Sequence, residues 1–204
     1  MELIPTQEEV VALLRQTGAL RTGFYEYENG IYSNEHLQMA LAFRNYHHLK
    51  TLSVALSRLV RTNSELRAAI PKLSVVAPAP AGLPVAFGVC EALRARRVYW
   101  GESENSNEPL RFRQFLDQDL GEKVLLVDDI LRTGRKLSEL KKLCEFNGAE
   151  VIGLATVVYQ PNHGWIEFKD IPMFYLAKLN STFKTAEDTW TGMKPGQEPV
   201  KIWG

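Results

Sequence analysis

The sequence has few cysteines and no net charge, and each of these features argues against certain kinds of binding site or partner. Only two of the 204 residues are cysteines, Cys90 and Cys144, and they lie far apart with no C-x-x-C pair. We therefore expect no zinc site and no redox pair, and a reducing, cytoplasmic location is the simplest interpretation. Lysine plus arginine equals aspartate plus glutamate, 24 of each. No overall field therefore attracts nucleic acid or an anionic membrane, and neither is an expected partner.

Long uninterrupted apolar runs are also missing. The longest uncharged stretch lies between Lys72 and Glu91, and Pro78, Pro80 and Pro84 interrupt it, which argues against a membrane-spanning helix. The first residues, MELIPTQEEVV, include acids where a secretion signal would have a basic and then an apolar region. We expect a soluble protein whose length suits one substantial domain.

Strand-like and helix-like segments alternate along most of the chain. Strands are predicted at residues 73–79, 96–100, 124–127 and 150–159, and helices at 83–94 and 134–147. Before them come a helix capped by Thr6, an aromatic hairpin around Asn29-Gly30, and an amphipathic helix over 47–66. The alternation predicts an α/β fold, with a central parallel sheet flanked by helices. In such sheets, ligands bind at the carboxyl ends of the strands.

Two adjacent carboxylates follow the strand predicted at 124–127. Asp128 and Asp129 precede Thr133-Gly134, which opens a helix. The first turn of a helix has free N–H groups and the positive end of the helix dipole, so it can hold a phosphate. Taken alone, two acids after a strand are usually a solvated turn or a helix cap. Beside an anion loop, carboxylates that accept hydrogen bonds from sugar hydroxyls describe a site for ribose 5-phosphate.

The string VLLVDDILRTGRKL, residues 124–137, resembles the signature with which type I phosphoribosyltransferases bind 5-phosphoribosyl 1-pyrophosphate (PRPP). Residues 75–83, VVAPAPAGL, look like that family's pyrophosphate-binding loop. The hairpin GFYEYENGIYS and the tail TAEDTWTGMKPGQEPVKIWG are similar to those of the orotate branch. The resemblance implies one domain over residues 1–204, with a small N-terminal hood to which residues 1–45 and the C-terminal tail contribute. It also implies a homodimer.

The resemblance assigns roles to particular residues. Asp128 and Asp129 would be the catalytic pair that holds the ribose hydroxyls. PRPP would contact both acids and the loop of Arg132, Thr133, Gly134, Arg135, Lys136 and Leu137, and its pyrophosphate would face Ala79, Pro80, Ala81 and Gly82. Mg²⁺ would be held through PRPP rather than directly by side chains, and would stabilise the leaving pyrophosphate. The implied reaction transfers ribose 5-phosphate from PRPP to a pyrimidine base, with orotate as the expected acceptor.

Four departures from the family pattern concern turnover. Lys136 stands where a hydroxyl residue is usual, Pro80 removes an N–H from the pyrophosphate loop, and Glu28 stands where lysine is common. The fourth is loop 102–109, ESENSNEP, which has no basic residue, although relatives carry a lysine there that reaches the pyrophosphate. Five arginines near this loop either substitute for that lysine or only solvate strand ends: Arg94, Arg96, Arg97, Arg111 and Arg113.

Two hypotheses of different classes therefore remain open. The chain is either a phosphoribosyltransferase or a non-catalytic regulatory relative that binds PRPP or a nucleotide and has a degenerate catalytic loop. The acid pair supports ligand binding in both cases. Loop 102–109 and Glu28 favour the second hypothesis.

Overall fold

A computed structural model describes residues 4–28, 30–105, 108–113, 119–162, 164–185 and 198–202. Asn29, at the centre of the predicted hairpin, and residues 106 and 107 of the loop 102–109 lie outside the described residues, as does most of the C-terminal tail. No helix in the described ranges is long and apolar enough to cross a membrane.

Five parallel strands form the central sheet, in the order β4-β3-β5-β6-β7. They are β3 (Ser74–Pro78), β4 (Arg97–Gly101), β5 (Lys123–Leu131), β6 (Glu150–Tyr159) and β7 (Met173–Lys178). Every residue of β3 is buried, and so is every residue of β6 after the first. Strands buried on both faces are apolar throughout, and the predicted α/β fold with a central parallel sheet is confirmed.

Helices cover both faces of this sheet. The principal ones are α1 (Gln7–Gln16), α3 (Tyr46–Val60), α5 (Leu83–Leu93) and α6 (Arg135–Phe146). Val75 and Ala77 pack in the same cluster as the buried residues of α1, α3 and α5, whereas Val76 packs in the cluster that contains α6. The alternation follows from the two-residue period of a strand, and it gives a three-layer molecule.

A second, smaller sheet has the strand order β8-β2-β1-β9, and we call it the hood sheet. Its members are β1 (Leu20–Tyr27), β2 (Tyr32–Leu37), β8 (Phe183–Lys184) and β9 (Val200–Ile202). β1 and β2 form the antiparallel hairpin that the sequence predicts. The C-terminal part of the chain adds β8 antiparallel to β2 and β9 parallel to β1. A short helix, α2 (Ala40–Phe43), leads from β2 to α3.

The prediction of one helix over 47–66 is wrong, because the chain breaks into α3 and a separate helix α4 (Ser64–Ala69). The Asn63 side chain accepts a hydrogen bond from the Leu66 amide at 3.0 Å and so caps a new helix. Arg61, just after α3, donates to the Leu93 carbonyl at 2.8 Å. These contacts dock the end of α3 against the end of α5.

Candidate active site

Asp128 and Asp129 lie inside β5 rather than after it. Pairing between β5 and β6 continues through Asp128–Thr156 to Leu131–Tyr159. The predicted end of the strand at Val127 is therefore wrong: the apolar run stops there, but the backbone pairing does not. Asp128 is only 7% exposed and Asp129 is half-buried, so the sheet holds two carboxylates largely out of water near its carboxyl edge.

Burial raises the pKa of both carboxyls, and the neighbouring Asp129 charge raises the pKa of Asp128 further. Hydrogen bonds from backbone amides act in the opposite direction and lower both pKa values. The Asp129 amide donates to Asp128 Oδ1 at 2.9 Å, and the Ile130 amide donates to Asp129 Oδ1 at 2.8 Å. The Lys136 ammonium also lowers the pKa of Asp128. A ligand whose hydroxyls donate hydrogen bonds to this pair would offset the cost of keeping both ionised.

The predicted phosphate loop and Asp128 line one cavity of about 460 Å³. Its lining residues are Asp128, Ile130, Leu131, Arg132, Thr133, Gly134, Arg135, Lys136 and Leu137. The side chains of Thr133, Arg135 and Lys136 are exposed. Leu137 is buried in the core, so its predicted contact with a phosphate is through its backbone. The first turn of α6 thus opens into the space that Asp128 borders.

Gly134 shapes the start of α6. Its φ is +74°, which favours glycine, and a Cβ there would lie 2.9 Å from the Ile166 carbonyl oxygen. The Ile166 amide donates to the Thr133 carbonyl at 2.9 Å, and the Arg135 amide donates to Thr133 Oγ1 at 3.3 Å. The segment after β6 therefore holds the loop in place from behind, while the first amides of α6 have no partner within the helix.

The predicted pyrophosphate loop lies beside the acid pair but uses most of its own amides. The Ala79 amide donates to the Gly101 carbonyl at 2.8 Å, and the Gly82 amide to the Pro78 carbonyl at 3.1 Å. Pro80 has no N–H, and the peptide bond before it is cis. Within the described residues, this leaves the exposed Ala81 as the member of the four whose amide has no such backbone partner.

Gly82 joins the two halves of the site. A Cβ at this position would lie 3.0 Å from Asp128 Oδ1 and 2.9 Å from the Pro78 carbonyl oxygen. Both distances are shorter than side-chain contacts normally are. The pyrophosphate loop therefore packs directly on the acid that would hold the ribose.

Loop 102–109 pairs with the chain that follows it. Glu102 and Arg111 form an antiparallel bridge, with amide-to-carbonyl distances of 3.0 and 2.9 Å. Arg113 forms ion pairs with Glu104 at 2.7 Å and with Glu108 at 3.9 Å. The hydrogen bond to Glu104 raises the Arg113 pKa. This arginine is therefore paired with two of the loop's three acids.

Three other flanking arginines lie away from the cavity. Arg96 lies just before β4 and Arg97 is the first residue of that strand. Their guanidinium groups lie 3.0 and 2.5 Å from the Asp119 carboxylate. In a parallel sheet this amino edge is opposite the carboxyl ends. Arg94 is exposed and ends α5 in a left-handed conformation. Glu28 is an exposed residue in the turn after β1.

Arg132 connects the phosphate loop to the hood sheet, a contact that the sequence did not reveal. Its guanidinium carbon lies 5.2 Å from the Tyr27 ring centroid and 5.9 Å from that of Phe183. Its Nε donates to Gln160 Oε1 at 3.1 Å. The Tyr27 hydroxyl lies 3.5 Å from His36 Nδ1, and burial followed by the Arg132 charge lowers the His36 pKa. Of the hairpin aromatics, Tyr27 is therefore the one at this junction.

Comparisons with known proteins agree with this architecture. The family model of the phosphoribosyl transferase domain matches residues 58–180. Orotate phosphoribosyltransferase from Pelotomaculum thermopropionicum is 29% identical over 158 residues, which is 77% of each chain. The enzyme of that name from Nitratiruptor sp. is 27% identical over 206 residues, covering 95% of this chain and 96% of its own.

A solved structure shows the same fold. The crystal structure of orotate phosphoribosyltransferase from Aeropyrum pernix superposes with a TM-score of 0.64 at 18% identity, over 83% of this chain and 93% of its own. The residues matched by the family model include β3, residues 79–82, the acid pair and residues 132–137. The chain belongs to the phosphoribosyl transferase domain family.

Proposed function

We propose that this protein transfers ribose 5-phosphate from PRPP to a pyrimidine base, with orotate as the acceptor, and releases pyrophosphate. The observation that carries the proposal is the single cavity that Asp128 shares with the loop from Arg132 to Leu137. A cavity lined by a carboxylate and by the first turn of a helix suits a sugar phosphate. Orotate phosphoribosyltransferases are also the relatives whose sequences match most of the chain.

In this proposal the chain positions the donor and supplies fixed charges. The amides of Lys136 and Leu137 bind the 5-phosphate, and the Lys136 ammonium adds charge. Asp128 and Asp129 accept hydrogen bonds from the ribose hydroxyls and so fix the anomeric carbon. The bond from that carbon to pyrophosphate breaks, and a bond to the base nitrogen forms. Positioning and preorganised electrostatics are the protein's contribution.

Mg²⁺ is the cofactor of this proposal, and it would be held through PRPP. Among the described residues no group of three or more His, Cys, Asp or Glu side chains is placed to hold a metal ion. Mg²⁺ usually keeps several waters and is bound largely through the phosphate oxygens of a ligand. The pyrophosphate and hydroxyls of PRPP would hold the ion while Asp128 and Asp129 bind the ribose hydroxyls, and the bound ion would stabilise the leaving group.

The hood junction supports an acidic acceptor. Orotate is a pyrimidine that carries a carboxylate. The contacts described for the Arg132 guanidinium are two ring faces and one hydrogen bond from Nε, so its outer N–H groups can serve a ligand. A half-buried arginine between aromatic rings is well suited to a planar anion. Uracil, which lacks the carboxylate, is expected to be the poorer acceptor.

The regulatory hypothesis has its own supporting observation. Arg113 is paired with Glu104 and Glu108, and two amides of the pyrophosphate loop, those of Ala79 and Gly82, already donate to backbone carbonyls. A site that binds ribose 5-phosphate well and pyrophosphate poorly would favour a nucleoside monophosphate over PRPP. Such a protein would use the bound nucleotide as a signal.

One experiment separates the two functions. The protein is mixed with PRPP, Mg²⁺ and orotate, and the loss of orotate absorbance is followed, with uracil as the matched acceptor. Calorimetric titrations with PRPP and with uridine 5′-monophosphate run alongside. Turnover supports the transferase and rejects the regulator, whereas binding with no turnover on a panel of bases rejects the transferase. A homodimer and a cytoplasmic location are further parts of the proposal, to be tested by light scattering and by cell fractionation.

A further inference from the structure

A line of side-chain hydrogen bonds joins the phosphate loop to the hood sheet. Arg132 Nε donates to Gln160 Oε1 at 3.1 Å, and Gln160 Nε2 donates to Ser181 Oγ at 2.6 Å. The Ser181 hydroxyl donates to Glu35 Oε2 at 2.7 Å. Three bonds thus lead from the cavity wall to the middle of β2.

Gln160 is the central member of this line and is fully buried. Its backbone amide donates to the Leu131 carbonyl at 2.9 Å, which fixes it beside the end of β5. The two ends of its side-chain amide have different partners, an arginine donor and a serine acceptor. A rotation of the amide would place donor against donor, and buried polar groups left unpaired are costly. Gln160 therefore transmits a displacement at either end to the other.

Ring contacts add to the same junction. The Arg132 guanidinium lies over Tyr27 of β1 and near Phe183 of β8, contacts that are attractive for a cation. The segment after Ser181 is also tied to β2, because the Thr182 amide donates to Asn34 Oδ1 at 2.8 Å. Arg132 thus contacts two of the four strands of the hood sheet, β1 and β8, and is linked to a third, β2, through Gln160 and Ser181.

We propose that Arg132 and Gln160 are positioning residues that couple occupancy of the phosphate loop to the order of the hood sheet. A phosphate held by the loop amides fixes the loop and hence Arg132. Arg132 then fixes Gln160 and the Tyr27 and Phe183 rings, so the acceptor side of the site is ordered when the donor side is filled. The inference rests on the proposed function only in requiring a sugar phosphate at residues 132–137.

Hydrogen exchange on the whole chain tests this coupling, with ribose 5-phosphate as the probe. In the wild type, the probe is expected to slow exchange at residues 132–137 and also in β2 and β8. In Gln160→Met, which keeps the volume and removes both polar ends, the loop is still protected but the hood protection is lost. Ser57→Ala is the matched control, because Ser57 is a buried hydroxyl on α3 that bonds the Val54 carbonyl at 2.8 Å. It should behave as the wild type.

The outcomes separate this inference from the proposed function. The coupling is overturned if ribose 5-phosphate slows exchange at residues 132–137 but leaves exchange in the hood sheet unchanged. It is also overturned if the probe still slows exchange in the hood sheet of Gln160→Met. If ribose 5-phosphate protects nothing, the sugar-phosphate site itself is wrong. The coupling is then judged without ligand: Gln160→Met must speed exchange at residues 132–137 and in β2 together. Faster exchange confined to the neighbours of residue 160 rejects it.

Discussion

The two halves of the candidate site are built differently. The phosphate half, Asp128 to Leu137, presents the buried Asp128 carboxylate, a helix start and a lysine to one cavity. The pyrophosphate half consists of residues 79–82 and the loop that follows β4. There the Ala79 amide bonds Gly101, the Gly82 amide bonds Pro78, and Arg113 pairs with Glu104. The phosphate half opens its groups into a cavity, whereas most of the polar groups described for the pyrophosphate half already have partners within the protein.

This difference indicates that ligand affinity and turnover depend on separate groups. In the proposed function, affinity for a sugar phosphate requires the carboxylates and the loop amides. Release of pyrophosphate requires positive charge opposite the leaving group. That charge could come from Arg113 if its ion pairs open, from the exposed Arg111, or from a bound metal ion. Away from Gly82, where the two halves touch, each half can therefore be altered without the other.

The largest effect is expected from removing the charge of the phosphate half. Asp128→Asn combined with Asp129→Asn should weaken PRPP binding by about a hundredfold or more, because each lost charge-assisted hydrogen bond costs about 1.5–3 kcal/mol. Calorimetric titration measures the change. Glu91→Gln, an exposed acid on α5, is the control and should bind as the wild type does. Unchanged affinity in the double variant would show that the ribose lies elsewhere.

The same double variant should be more stable than the wild type. Burial raises the pKa of both carboxyls, so the folded state favours their protonated forms. Their contribution to stability is present below the ordinary value of 3.8 and is lost as the pH rises through the raised pKa. The variant avoids this loss. Its Tm should exceed that of the wild type at about pH 7, and the gap should close as the pH falls to about 4. If the difference in Tm persists at acidic pH, the gain in stability comes from packing and not from the removed charges.

The next largest effect is expected from adding a methyl group at Gly134, at the start of α6. Gly134→Ala combines a left-handed backbone, which costs about 1–2 kcal/mol for other residues, with a contact at 2.9 Å to the Ile166 carbonyl. Gly121→Ala is the matched control, because Gly121 has the same φ of +74° and nothing within 4 Å of its Cβ position. Chemical unfolding should show the larger loss at Gly134, together with weaker binding of ribose 5-phosphate. Equal losses would mean that the Ile166 contact is without effect.

Lys136 tests whether an ammonium replaces the hydroxyl that is usual at its position. Lys136→Met should weaken binding of ribose 5-phosphate about tenfold, the value of one charge-assisted hydrogen bond. Lys136→Ser should recover part of that loss. Lys142→Met changes an exposed lysine on the same helix and should leave the affinity unaltered. If Lys136→Met also leaves it unaltered, the phosphate is bound by backbone amides alone.

The smallest effect is expected in the pyrophosphate half, where the substitution frees an arginine from an ion pair and does not remove a ligand-binding group. Glu104→Gln frees Arg113 from its 2.7 Å ion pair and should strengthen PRPP binding relative to ribose 5-phosphate about two- to fivefold, the range of an exposed pair. Glu167→Gln breaks a comparable surface pair with Lys169 and should change neither affinity. A gain with both ligands would place Arg113 near the 5-phosphate instead.

Local patterns predicted one half of this comparison better than the other. The apolar strand, the two acids and the Thr133-Gly134 step are adjacent in sequence, so the cradle from Asp128 to Leu137 could be predicted as a unit. The fate of Arg113 could not, because an ion pair depends on where a loop folds back. Arg132, Gln160 and Ser181 come together from three separate segments, and no spacing indicates such contacts. The break between α3 and α4 could have been predicted from the sequence, because asparagine at position 63 is a favourable helix-capping residue.

Gly82 limits how this protein can change over generations of mutation. Because a Cβ there would press on Asp128 Oδ1 at 3.0 Å, almost any substitution at Gly82 would disturb the sugar site along with the loop that carries it. Replacements in the exposed loop after β4 meet no such barrier. Charges in the loop after β4 can therefore change one at a time without reaching Asp128, whereas a change at Gly82 affects both halves of the site at once.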